Sequence, residues 1–296
     1  MNINHILFLA VVFNFTFSSA SETKNVEIGF WEKAGVRKAF ELSDKQWISS
    51  LKTVHNANEL NKAAELYKAP TEWVLFFDGK NYEKLTTTAF KKYDLYVQNG
   101  LQKVTSEQPD PSFRTYDKKF SSIDGTSLRP ILVTNTESVS DPDLWKRDST
   151  IKKIHPQIFS DLKSRLKDKI FSCKQESCEE ESAPYRLQQK DLQLASAYKN
   201  NKNEILLQIQ FQFSPRSYVY CETEGDNCSG QNFWYLVNAQ DQTQFVTNAQ
   251  SLIDAADANQ DGSSELFFWI NESNLNGYEL IDGKSRKSLK STWSAH

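Results

Sequence analysis

The sequence predicts a mainly β chain with two or three helices, an α+β protein built of antiparallel meanders that are propeller-like in the C-terminal half. Three observations lead there. From Asp191 onward apolar and polar residues alternate with a period of two, the mark of strands with unlike faces. Turn dipeptides such as Asp78-Gly79, Asn99-Gly100 and Asp282-Gly283 separate apolar runs, as hairpins require. A strand, loop, strand, turn, strand unit recurs after about sixty residues.

Along the chain, Val26 to Leu42 reads as strand, turn, strand around Lys33-Ala34-Gly35. Ser43-Asp44-Lys45-Gln46 has the form of a capping box. Trp47, Leu51 and Val54, then Leu60, Ala63, Ala64 and Tyr67, follow at helical spacing until Pro70. Trp73 to Phe77 is a short apolar strand ending at Asp78-Gly79. Tyr93 to Val97 and Leu101 to Val104 flank Gln98-Asn99-Gly100 as a hairpin. Leu128 to Thr134 is a strand that Pro130 assigns to a sheet edge. Residues 136 to 149 are a polar connector. His155-Pro156 opens the best helix, running to about Phe171, with Ile158, Phe159, Leu162, Leu166 and Ile170 on one face. Lys163, Arg165, Lys167 and Lys169 occupy the rest and read as a solvated face. The remaining strands are Ile205 to Phe213, Tyr218 to Cys221, Phe233 to Val237, Leu252 to Ala256, Leu266 to Ile270, Tyr278 to Ile281 and Leu289 to Trp293.

Residues 1–20 read as a signal peptide. Ile6 to Phe17 is a short apolar run and Ser18-Ser19-Ala20 supplies small residues for cleavage. The expectation is a secreted or periplasmic protein with no transmembrane segment in the mature chain. Residues 21–296 are expected to form one mature domain, divisible at 149/150 into a mixed α/β region and a helix plus β-meander region. The formal net charge of −3, from 35 basic and 38 acidic residues, gives no reason to expect nucleic acid as a partner. Cys173, Cys178, Cys221 and Cys228 form two close pairs. Four cysteines allow three connectivities; the short spacings and an oxidising compartment favour Cys173–Cys178 and Cys221–Cys228 over a zinc site without nearby histidine.

The strongest chemical signal is Asp257-Ala258-Asn259-Gln260-Asp261-Gly262-Ser263-Ser264-Glu265-Leu266. Oxygen-bearing side chains stand at positions one, three, five and nine, with glycine at six. Ca²⁺ is held by six to eight oxygens, which a chain supplies by curling tightly around the ion. An EF-hand needs an acid at position twelve and a following helix. Here Phe268 stands there, inside the strand-like run Leu266 to Ile270. The loop instead resembles the calcium loops of integrin-type FG-GAP β-propeller repeats, D-x-[DN]-x-[DN]-G-x-x-[DE]. It lacks their flanking Phe-Gly and Gly-Ala-Pro signatures. That resemblance implies calcium ligation by the side chains of Asp257, Asn259, Asp261 and Glu265 and by the Ser263 carbonyl.

Ala197 to Ile209 lines up with Ala256 to Ile270 across a two-residue gap, matching Glu204 to Glu265 and placing Tyr198 where Asp257 stands. That copy is expected to bind no metal. Asp257 to Leu266, Asn276-Gly277-Tyr278 and Trp293-Ser294-Ala295-His296 also resemble the tail of an uncharacterised family of exported bacterial proteins. No activity comes with that likeness.

No catalytic constellation stands out. His55, His155 and His296 have no zinc-protease spacing, and there is no G-x-S-x-G elbow or phosphate-binding glycine loop. The reading is therefore an exported, calcium-stabilised binding or envelope-associated interaction protein with an envelope, protein or glycan ligand. The alternative is a polysaccharide-acting hydrolase or a carbohydrate-binding module. Seven tryptophans keep the sugar alternative open, although aromatic stripes on strands are more often core.

Overall fold

A computed structural model of the chain describes residues 25–32, 35–50, 71–88, 102–103, 130–173, 182–213, 218–221, 231–271 and 275–294. The expected signal peptide, the two expected helical stretches from Leu51 onward and the hairpin turn at 98–100 lie outside the described residues, as do Cys178, Cys228, His55 and His296.

Every ladder between named strands is antiparallel. The first sheet holds β1 (Val26–Trp31), β2 (Gly35–Ser43), β3 (Gln46–Ser49), β4 (Glu72–Phe77), β5 (Lys80–Thr86), β6 (Gln102–Lys103) and β7 (Ile131–Thr134). Its order is β3-β2-β1-β7-β4-β5, with β6 on β2. After β8 (Lys146–Arg147) come helix α1 (Pro156–Arg165), β9 (Ile170–Cys173) and β10 (Ser182–Pro184). Then follow β11 (Leu192–Lys199), β12 (Ile205–Phe211), β13 (Tyr218–Cys221), β14 (Asn232–Val237) and β15 (Thr243–Thr247). These segments make a five-stranded sheet, β15-β14-β12-β11-β8, and a small sheet, β10-β9-β13. The last sheet is a pure meander of β16 (Ser251–Ala256), β17 (Glu265–Asn271), β18 (Leu275–Ile281) and β19 (Ser288–Ser294).

The sheets stack face to face. Ile28, Phe30, Phe40 and Leu132 of the first sheet pack with Phe267, Trp269, Tyr278 and Trp293 of the last. Leu252, Leu266, Phe268 and Ile281 form a second layer with Leu206, Trp234 and Leu236 of the five-stranded sheet. That sheet's far face meets α1 and the small sheet. The last meander is thus the middle layer, and β16, β17 and β18 are buried on both faces. This explains the unbroken run Leu266 to Ile270: with no wet face there is nothing for polar alternation to serve. The described sheets do not close into a barrel or a propeller.

Three local expectations need correction. Ser43 to Gln46 starts no helix; Ser43 pairs with Gln46 across a hairpin whose central residues Asp44 and Lys45 have φ of 49° and 62°. Two positive φ angles make the tight turn whose twist suits adjoining strands, and Asp-Lys is an unusual sequence for it. The strand β7 is central, between β1 and β4, not at an edge. Pro130 immediately precedes it and removes no ladder donor. The helix opened by Pro156, the one α-helix among the described residues, stops at Arg165 rather than near Phe171. Asp168, at φ 61°, turns the chain so that Ile170 enters β9. The helix start is as expected, with Pro156 in the first turn and His155 accepting from the Gln157 amide.

Ile158, Leu162, Leu166 and Ile170 nonetheless share one core with Leu207, Ile209, Phe233 and Tyr235. Leu162 is fully buried there. Leu162→Ala should therefore cost about 2–5 kcal/mol in denaturant melts; a near-zero change would remove the helix from the core. No helix among the described residues is long and apolar enough to cross a membrane.

The small sheet bears on the cysteines. In the β9–β13 ladder Cys173 lies opposite Tyr218 and Cys221 opposite Ile170. The two cysteines sit at opposite ends of the ladder, roughly 10 Å apart at about 3.3 Å per residue, beyond disulfide reach. This excludes the connectivity that joins Cys173 to Cys221. Non-reduced peptide mapping of the purified protein should find Cys173–Cys178 and Cys221–Cys228; cross-linked 173/228 peptides would refute that pairing.

Candidate metal centre

The β16–β17 hairpin closes where Ala256 pairs with Glu265, leaving residues 257–264 as its loop. The loop is held by its own side chains. Asp257 accepts the Asp261 amide at 2.9 Å and the Gly262 amide at 2.9 Å. Asn259 Oδ1 accepts the Asp261 amide at 3.0 Å, and Asp261 Oδ1 accepts the Ser263 amide at 3.0 Å. The Asn259 and Asp261 bonds are Asx turns, which Asp and Asn make because a short oxygen-bearing side chain reaches its own backbone two residues on, whereas Asp257 reaches across the loop to amides four and five residues on. Gly262 has φ +86°, a conformation that disfavours a Cβ.

Glu265 closes the loop from beneath. It is completely buried. One oxygen, Oε2, accepts the Ala258 amide at 2.9 Å, while Oε1 is buried with no hydrogen-bond partner. Burial pushes its carboxyl up from 4.5 to about 8, opposed by the Ala258 amide and reinforced by the nearby charges of Asp257, Asp282 and Asp261. An unsatisfied buried carboxylate oxygen carries a large desolvation cost. Near neutral pH such a group takes up either a proton or a cation.

Neighbouring segments fix the loop from outside. The Asp257 amide donates to the Ser140 carbonyl at 2.6 Å. The Ser264 amide donates to Asp143 Oδ2 at 3.1 Å, and the Ser264 hydroxyl donates to buried Asp141. Asp141 also accepts the Leu144 and Trp145 amides, while burial holds its carboxyl above the usual range. So residues 136–149 are more than a polar connector: Asp141 and Asp143 clamp one end of the loop. On the other side Gly283, in the β18–β19 turn, lies so close that a Cβ there would come within 2.7 Å of the Ser263 carbonyl.

Of the expected ligands, Asp257 and Glu265 face the loop interior and are buried, whereas Asp261 is partly exposed and 3.6 Å from Lys284. The Ser263 carbonyl packs on Gly283. Among the described residues no three His, Cys, Asp or Glu side chains converge as a finished cage. Any cation would be held by two or three carboxylates completed by Asn259 and backbone.

The β11–β12 hairpin offers a natural comparison. Lys199 pairs with Ile205, so its loop is 200–204, and Asn200 rather than Tyr198 holds the place of Asp257. Asn200 Oδ1 accepts the Lys202 and Glu204 amides at 3.0 and 2.9 Å, the same device as Asp257. Here, however, the carboxylate is satisfied: Asn200 Nδ2 donates to Glu204 at 2.7 Å and Arg286 binds both its oxygens at 3.0 and 3.1 Å. One hairpin has a built-in guanidinium where the other leaves Glu265 Oε1 bare.

Six tryptophans (Trp31, Trp73, Trp145, Trp234, Trp269 and Trp293) are buried, and Trp47 packs against the core. They build layers, not an exposed platform. Arg37 does lie over Trp293, 4.3 Å from the ring centre, while bonded to Glu32, a structural contact beside the first and last sheets. No protein-family model, curated protein or solved structure matches this chain, so the likeness to calcium-binding repeats rests on the loop residues themselves.

Proposed function

We propose that this is an exported, mainly β binding or envelope-associated protein in which a Ca²⁺ ion held by residues 257–265 stabilises the middle sheet. The observation that carries the calcium reading is the bare, fully buried Oε1 of Glu265 beside Asp257 and Asp261, set against the Arg286-neutralised Glu204 of the sister hairpin. The ion is structural in this reading. The loop is local in sequence, joins two strands, and has Asp141 and Asp143 engaged in holding it.

The stack also supports a propeller-like arrangement. The first sheet packs on the last, and the last on the sheet before it, the neighbour order that successive blades of a ring would have.

Calorimetric titration of the purified mature chain should show one calcium site. With a Kd on the order of 10⁻⁴–10⁻³ M, as in extracellular modules, millimolar calcium adds about 0.4–1.4 kcal/mol. That is a melting shift of a few degrees at most. Asp261→Ala should abolish the shift and leave the fold intact, since Asp261 is the partly exposed acid of the set. Glu204→Ala should leave calcium binding in place. Absence of calcium binding at millimolar concentration would overturn this reading.

A further inference from the structure

A cleft of about 630 Å³ opens between the C-terminal part of α1 and the segment after β10. Its volume lies within the roughly 300–1,000 Å³ of small-molecule sites. Among the described residues, Lys163, Lys167 and Arg186 line it with one carboxylate, Asp168. All three cations are exposed, and none forms an ion pair with a described residue. Arg165, on the same helix, is by contrast bonded to Asp161 and lies 4.4 Å from the ring centre of Phe245.

Cations in a last helical turn complement the helix dipole, which accounts for Lys163 and Arg165. It does not account for Arg186, which comes from another segment and faces the same space. The cleft also has an apolar side. Leu166 and Leu187 line it and are nearly buried. Tyr185 is held in place, its hydroxyl donating to Asp191 at 3.0 Å and its ring edge-on to Phe213.

A concave site lined by three cations from two segments, beside aromatic and aliphatic side chains, suits an anionic group carried on a compact ring. We propose that this cleft binds a sugar bearing a phosphate or sulfate ester, with Lys163, Lys167 and Arg186 on the ester and the Tyr185–Leu187 side under the ring. The proposal does not depend on the calcium loop.

The test is calorimetric titration of the mature chain with glucose 6-phosphate, glucose 6-sulfate and plain glucose. One or both esters should bind at one site with Kd on the order of 1 mM, more weakly as salt rises, and plain glucose should not. A preference between the esters identifies which anion the site takes. The pair Lys163→Gln and Arg186→Gln should weaken ester binding about tenfold or more at unchanged melting temperature. The pair Lys152→Gln and Lys153→Gln, also exposed but outside the cleft, should not. Failure of both esters to saturate by roughly 10 mM, equal binding of plain glucose, or an equal loss in the control pair would overturn the proposal.

Discussion

Raising the pH of the calcium-free protein through the range from 4.5 to about 8 should lower its stability, and calcium should offset part of the loss. The effect comes from Glu265, whose carboxyl titrates ordinarily at 4.5 but is raised to about 8 in the fold, burial being the main cause. Below 4.5 the group is protonated in both states, and the folded protein keeps its full advantage. Between the two values the unfolded chain ionises while the folded chain holds its proton, so unfolding releases a proton and stability falls with rising pH. Above about 8 both states are ionised and the decline levels off. Each tenfold change in an acid's ionisation constant is worth about 1.4 kcal/mol, so the fall is on the order of a few kcal/mol.

Calcium needs the ionised carboxylate. Its binding near neutral pH should therefore expel a proton. The calorimetric heat should vary with the buffer's ionisation enthalpy, and affinity should rise with pH through the same window. Glu265→Gln should flatten the stability profile and remove the calcium effect together. A wild-type profile as flat as that of the variant would show that Glu265 does not carry the linkage.

The second large effect concerns the layer joining the two ends of the chain. Phe267, fully buried in β17, touches Phe30 and Phe40 of the first sheet at ring separations of 6.4 and 6.5 Å. Phe30 in turn stacks on Tyr278 at 3.7 Å. Phe267→Ala should destabilise by about 3–5 kcal/mol, the range for aromatic truncation in a packed core. Because both sheets share this layer, denaturation followed by tryptophan fluorescence and by circular dichroism should remain one coincident transition. Two separated transitions would show that the sheets unfold independently and that residues 21–296 are not a single cooperative unit.

Strand positions were legible because their signal is local. Apolar runs bounded by turn residues found β4, β12, β14, β16, β17 and β18, and Asp78-Gly79 is the tight turn it resembles, with φ of 50° and 74°. Where a local pattern served two structures, the reading failed. Ser43 to Gln46 has capping-box letters but lies in a hairpin, and α1 keeps helical spacing through Ile170 although the helix ends at Arg165. In both places a left-handed residue without glycine turned the chain, and no composition rule marks such a residue.

The sequence by itself determined the mainly β class, the loop of Asp257, Asn259, Asp261, Ser263 and Glu265, and the turn that Gly262 permits. All of these depend on residues within ten positions of each other. Only the tertiary structure decided that the last meander is the middle layer, that Asp141 and Asp143 clamp the loop from more than a hundred residues away, and that Arg286 neutralises Glu204 while Glu265 Oε1 has no partner. The physical reason is that desolvation and charge pairing act through space. Whether a buried carboxylate meets an arginine or a bare pocket depends on which loops the stacked sheets bring to one edge, and spacing along the chain does not encode that.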